Sequence, residues 1–160
     1  LPSRWPDLWI KQICQYNEES IDFLQQKFPK FKSNLMKIIQ LGYQLTATFE
    51  RCNSKLVSDP DNILEFLRFI AKEARYEEVS CLKNTFPANG GVTCVLILAQ
   101  SHLIAHSWPE YDILVIDLFA CGAQPDYEPI FNRVKSSIQA ESVTFETRIR
   151  EANVELSNET

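Results

Sequence analysis

The sequence predicts an α+β fold, a two-layer sandwich in which helices cover one face of an antiparallel β-sheet. Three observations carry the prediction. Apolar and polar residues alternate with the period of a half-buried strand over Tyr43 to Glu50. Two amphipathic stretches with helical spacing flank the central region. The strand-like runs between Val79 and Ala120 follow one another across short turns, which favours antiparallel pairing.

Composition sets the outer limits. The chain has 160 residues, 45% of them hydrophobic and 23% charged, enough for one domain with a true core. A net charge of −5 speaks against a nucleic-acid partner, because phosphate binding needs a basic surface. There is no run of about eighteen apolar residues, so no membrane span is expected. The cysteines, Cys14, Cys52, Cys81, Cys94 and Cys121, are odd in number, widely spaced and never arranged as CxxC. They read as thiols of a reducing compartment, with the cytoplasm as the expected location, and not as a disulfide frame or a zinc site. Leu1 stands where a start methionine is usual and no charged leader follows it, which reads as an excised piece of a longer chain without a secretory signal.

The expected organisation is a helical extension over residues 1–40, a domain over 41–150 and a polar tail over 151–160. In the extension, Pro6 to Phe28 has the spacing of an amphipathic helix that Pro29 ends. Phe31 to Gln40 reads as a shorter helix, with Leu35, Ile38 and Ile39 on its apolar face. The alternating strand from Gly42 follows, then a turn at Asn53, Ser54, Asp59 and Pro60. Asp59 can cap a helix that has Pro60 in its first turn and Ile63, Leu64, Leu67, Ile70, Ala71 and Ala74 as its core stripe through about Arg75. Strands are expected at Val79 to Thr85, Val92 to Ala99, Leu103 to Ser107 and Tyr111 to Ala120, with a turn over Phe86 to Gly91. A second helix, with Ile130, Phe131, Val134 and Ile138 inward, leads to a last strand, Ser142 to Arg150. The tail beyond it is expected to fray.

Chemistry concentrates between Gly90 and Gly122. This stretch holds the two densest apolar runs, both histidines, His102 and His106, and Ser101 directly before the first of them. No lysine lies between Lys83 and Lys135, so a pyridoxal-type electron sink has no anchor here. Asp112 and Asp117 lie too far apart in an extended run to argue for a metal.

The run QSHLIAHSWPEY over residues 100–111, followed by DLFACG over 117–122, resembles the processing and catalytic segment of prokaryotic S-adenosylmethionine decarboxylases. That family's pattern is ESHxxIHTWPEY and then DxFTCG. GVTC, residues 91–94, is similar to its GVSG, and Leu41 to Phe49 to its opening strand. The likeness covers about Leu41 to Arg150. Three reactive groups fall at the family's spacings: Ser101, His106 five residues on and Cys121 twenty on. This chain departs from the pattern at Gln100 (glutamate in the family), Thr93 (serine), Cys94 (glycine), Asp112 (glycine) and Ala120 (threonine).

The resemblance implies a self-cleaving decarboxylase of S-adenosylmethionine that supplies spermidine synthesis. In that scheme the Ser101 hydroxyl attacks the Gln100 carbonyl and the amide becomes an ester. Loss of the Ser101 α-proton then splits the ester, and the dehydroalanine left behind hydrolyses, with loss of ammonia, to a pyruvoyl group that forms a Schiff base with the substrate. His106 matches the histidine of processing, since an imidazole can take up a proton near neutral pH. Thr93 matches a processing serine. Cys121 matches the proton donor, because a thiol releases a proton more readily than an alcohol. Glu110 matches the carboxylate on the substrate ribose, and Phe86 the ring that stacks on adenine. Neither metal nor pyridoxal is implied, and a homodimer with shared sites is. His102 reads as structural, Trp108 and Tyr111 as core or dimer contacts. Two other possibilities stay open at this point: a pyruvoyl enzyme for another amino acid, such as arginine or ornithine, and a noncleaving paralogue that regulates an active partner.

Overall fold

The computed structural model describes residues 36–99 and 101–155. The expected helix Pro6 to Phe28, residues 31–35 of the second expected helix, Cys14, Gln100 and the last residues of the tail lie outside the described residues. In chain order the elements are β1 (Met36–Glu50), α1 (Ser54–Val57), α2 (Pro60–Glu73), β2 (Glu78–Thr85), β3 (Val92–Leu98), β4 (Ser101–Trp108), a 3-10 turn (Pro109–Tyr111), β5 (Ile113–Ala120), α3 (Glu128–Ser137) and β6 (Ser142–Glu155). Gly42–Arg150 forms one compact unit and is described by itself. The outer ends of β1 and β6, residues 36–41 and 151–155, fall in a second.

The strands form a single six-stranded sheet in the order β2-β3-β4-β5-β1-β6, and its registered pairs are antiparallel. Alternation sorts the side chains. Val92, Cys94, Leu96 and Leu98 of β3, Leu103 and Ala105 of β4, Leu114, Ile116 and Leu118 of β5, and Leu45, Ala47 and Phe49 of β1 are buried on one face. The helices lie on that face. α2 begins where Asp59 accepts from the backbone of Asp61 (2.8 Å) and Asn62 (3.4 Å), a cap that stabilises by about 1 kcal/mol. It buries Ile63, Leu64, Leu67, Ile70 and Ala71. α3 adds Ile130, Phe131 and Val134, with the Phe131 ring edge-on to Phe49 at 5.7 Å. Fully burying each aliphatic or aromatic side chain of this core stabilises by roughly 1.5–3 kcal/mol.

The other face is left more open. It carries Thr93, Val95 and Ile97, then Ile104 and His106, then Val115, Asp117 and Phe119, all half-buried or exposed. Asp112 closes the 3-10 turn at a φ of 56°, a left-handed conformation that aspartate tolerates better than most residues.

The expected two-layer α+β sandwich is what the chain forms, with corrections at its margins. Residues 36–40 are strand and not helix. Lysine and isoleucine alternate poorly there, but the β-branched pair Ile38-Ile39 continues the extended run into β1. Residues 151–155 are strand and not frayed tail. β4 begins two residues earlier than expected, at Ser101 itself. Asn53 caps the extra helical turn α1 by accepting from Lys55 at 3.0 Å.

Gly42 has a φ of 155°, and a Cβ there would meet the Ala120 carbonyl oxygen at 2.5 Å. Gly42→Ala therefore destabilises the fold by about 2 kcal/mol or more, read as a lowered urea midpoint at unchanged slope.

Candidate active site

Candidate groups gather at the two ends of β4. At its far end, register sets Thr93 of β3 directly opposite His106, and Thr93 Oγ1 lies 2.9 Å from His106 Nδ1. The hairpin is pinned beside them by the Val92 amide, which donates to Ser107 Oγ at 3.0 Å. A cleft of about 450 Å³ opens here, lined by Phe86, Asn89, Thr93, His106 and Trp108 among others. That is ample for a nucleoside-sized ligand. Glu110, on the 3-10 turn, accepts from Asn89 Nδ2 at 2.7 Å, while Asn89 Oδ1 accepts from the Gly91 amide at 3.1 Å. The turn holding Phe86 and the turn holding Glu110 are thereby tied together.

At the near end, Ser101 lies opposite Leu98 on one side and Ala120 on the other, with Cys121 next in the chain. Its φ is 150°, in a region occupied almost only by glycine, which costs about 1–3 kcal/mol. Ser101 Oγ lies 3.4 Å from His102 Nδ1, and the His102 ring leans on Phe119 at 6.3 Å between centroids. Cys121 is half-buried. Burial pushes the Cys52 and Cys94 thiols up to about 11, so both stay protonated. Among the described residues all four cysteines are free, and no three His, Cys, Asp or Glu side chains are grouped to hold a metal.

One chain does not bring these groups together. Ser101 and Cys121 share one end of the sheet, while Thr93, His106, Phe86 and Glu110 cluster at the other. Five residues of strand separate Ser101 from His106, roughly 16 Å at about 3.3 Å each. Trp108 and Tyr111 are exposed in the single chain and are not part of its core.

A family description of S-adenosylmethionine decarboxylase matches residues 43–151. The chain belongs to the S-adenosylmethionine decarboxylase family. Among its relatives, the S-adenosylmethionine decarboxylase proenzyme of Acidithiobacillus ferrooxidans is 33% identical over 104 residues, covering 65% of this chain and 77% of that one. The proenzyme of Thermotoga petrophila is 34% identical over 106 residues, covering 64% and 78%. The crystal structure of the adenosylmethionine decarboxylase of Aquifex aeolicus has the same fold, with a TM-score of 0.63 at 23% identity over 75% of this chain and 98% of that one. These relatives favour neither the arginine or ornithine alternative nor the silent paralogue.

Asn89 stands in a run that signals only a turn, and the hydroxyls of Tyr43, Tyr76 and Tyr127 meet although the three are far apart in the chain. Only the fold reveals either.

Replacing Thr93 by valine removes the partner of His106 Nδ1 while keeping the side chain's shape. The His106 ring then loses its preference for one tautomer, seen as a shift of its ring-nitrogen resonances, while Thr93→Ser retains it.

Proposed function

We propose that the chain carries out the reaction its family is named for, removal of the carboxyl group of S-adenosylmethionine, after self-cleavage between Gln100 and Ser101, and that each site is built from two copies. The observation that carries this reading is the separation along β4. A serine with a strained backbone and a thiol stand at one end, and an oriented imidazole with a ligand-sized cleft stands at the other.

A two-fold dimer can join them. The open face of the sheet presents Leu82, Val95, Ile97, Ile104, Val115 and Phe119, an apolar surface suited to covering. Two such sheets pack face to face about 10 Å apart. An axis crossing β4 near its middle reverses one strand over the other, so that the far end of one copy lies over the near end of its mate.

Ser101 fits the role of pyruvoyl precursor in its own surroundings. Its backbone is strained at the bond to be broken, its neighbour across the sheet is the small Ala120, and Cys121 follows that neighbour. Once formed, the pyruvoyl group supplies the electron sink that decarboxylation of an amino acid requires. The chain's other residues bind, orient and move protons. Thr93 holds His106 by Nδ1 and leaves Nε2 free to take the Ser101 α-proton of the facing copy. Phe86 and Trp108 offer aromatic faces to the adenine ring and the sulfonium charge. Glu110, aimed by Asn89, accepts from the ribose hydroxyls. Cys121 holds the proton that replaces the departing carboxyl group.

The same reading places the protein in the cytoplasm, where free thiols persist. Among the described residues no helix is long and apolar enough to cross a membrane.

Intact-mass spectrometry tests both parts. The wild-type chain of 18.5 kDa splits into two fragments at Ser101. Ser101→Ala stays whole, and His106→Ala alone cleaves far more slowly. Co-expressed, these two variants restore rapid cleavage, and only in the His106→Ala chain, because its Ser101 then faces an intact His106. A wild-type chain that never splits sinks the self-cleavage. A wild-type chain that splits, with no rescue in the mixed dimer, sinks the shared site alone. Cys121→Ala cleaves normally but loses about 100-fold or more in kcat.

A further inference from the structure

Beneath the Ser101 end of the sheet, on the face that the helices cover, three tyrosine hydroxyls meet. Tyr43 Oη lies 2.9 Å from Tyr127 Oη, Tyr76 Oη lies 2.8 Å from Tyr127 Oη, and Tyr43 and Tyr76 are also hydrogen-bonded. The three come from separate parts of the unit: β1, the connection from α2 to β2, and the residue preceding α3. Tyr43 and Tyr127 are fully buried, and Tyr76 is partly so. The Tyr127 ring also stacks on Phe131 at 5.4 Å.

Three hydroxyls closed on one another form a ring in which each donates once and accepts once, so no buried hydroxyl is left unsatisfied. Burial raises the pKa of both Tyr43 and Tyr127, which keeps them protonated and able to donate across the physiological range. Such a ring constrains position more sharply than apolar packing does. Greasy surfaces tolerate sliding, whereas the ring closes only when all three elements stand in place.

Its location gives it a use. Tyr43 pairs with Ala120 across β1 and β5, and Ala120 pairs with Ser101 across β5 and β4, so the triad belongs to the row that carries the serine. The carbonyl of Ala120 is pressed against Gly42, the residue before Tyr43. The chain then runs from Cys121 through Asp126 without regular structure and reaches Tyr127. Both ends of this short segment are thus held by β1, one through Ala120 and the other through the hydroxyl ring.

We propose that Tyr43, Tyr76 and Tyr127 are positioning residues that fix the segment from Cys121 to Asp126, and with it the Cys121 thiol relative to Ser101. The proposal rests on the reading of Cys121 as proton donor, and its test separates the two.

Tyr76→Phe and Tyr127→Phe each delete one hydroxyl while keeping the ring. Alkylation of Cys121 by iodoacetamide, followed by peptide mass spectrometry in the uncleaved Ser101→Ala background, reads the position of the thiol without any turnover. Exposed Cys81 serves as the internal reference. Opening the ring is expected to change the Cys121 rate about fivefold or more while Cys81 stays within about twofold, and in the cleaved enzyme to lower kcat about tenfold at nearly constant KM. Tyr76 is the safer site, because its side chain is only partly buried, so it answers the question if Tyr127→Phe does not fold. An unchanged Cys121 rate in Tyr76→Phe overturns the positioning role. If Cys121→Ala turns over normally, the proton-donor reading fails instead, and the alkylation result alone decides what the triad does.

Discussion

The register of the β3–β4 hairpin is the constraint on which the site depends. It sets Thr93 against His106 and Leu98 against Ser101, and because side chains alternate, the same register places Cys94 and Ala105 in the core. A slip of one residue turns every side chain over, sending the imidazole toward the helices and core leucines toward solvent. Burial of Leu96, Leu98 and Leu103 therefore does more than stabilise the sheet. It selects the pairing in which a hydroxyl and an imidazole share the open face.

Much of this was legible in the sequence, and the reasons are local. Alternation in Tyr43 to Glu50 and the Asp59-Pro60 cap each report on residues close in the chain, and the structure follows them. The N-terminal end of β1 was not legible. Ile38 and Ile39 fit a short helical stripe as well as a strand, and nothing within that short stretch decides between the two. The candidate site was legible as a set of residues but not as an arrangement. Spacing in sequence says that His106 is five residues from Ser101, and only a strand geometry turns this into a separation too long for contact. The tyrosine triad had no sequence signal at all, because its members are 33 and 51 residues apart.

The departures from the family pattern are absorbed by the fold in different ways. Thr93 keeps the hydroxyl that reaches His106, so the added methyl costs no hydrogen bond. Cys94 is fully buried, with its thiol donating to the Pro60 carbonyl at 3.5 Å, which gives a side chain in place of glycine a packed and satisfied position. Asp112 takes up the left-handed turn itself. Ala120 is buried between Tyr43 and Ser101, where a small side chain suits a crowded row.

The strain at Ser101 has to be held by something stronger than itself. β4 is paired on both sides along its length, to β3 and to β5, and these two ladders hold the first residue of the strand where a free chain would relax. A torsional cost of about 1–3 kcal/mol is small against two ladders of hydrogen bonds and the leucines beneath them. It is not small for a reaction. The torsion φ of Ser101 exists only while its nitrogen is joined to Gln100, so an acyl shift from that nitrogen to Oγ abolishes the strained torsion outright. On the self-cleavage reading, strain of this size favours the ester over the amide by roughly five- to 150-fold relative to a relaxed serine. On that reading the sheet contributes to the chemistry by holding the serine in a conformation that the acyl shift removes.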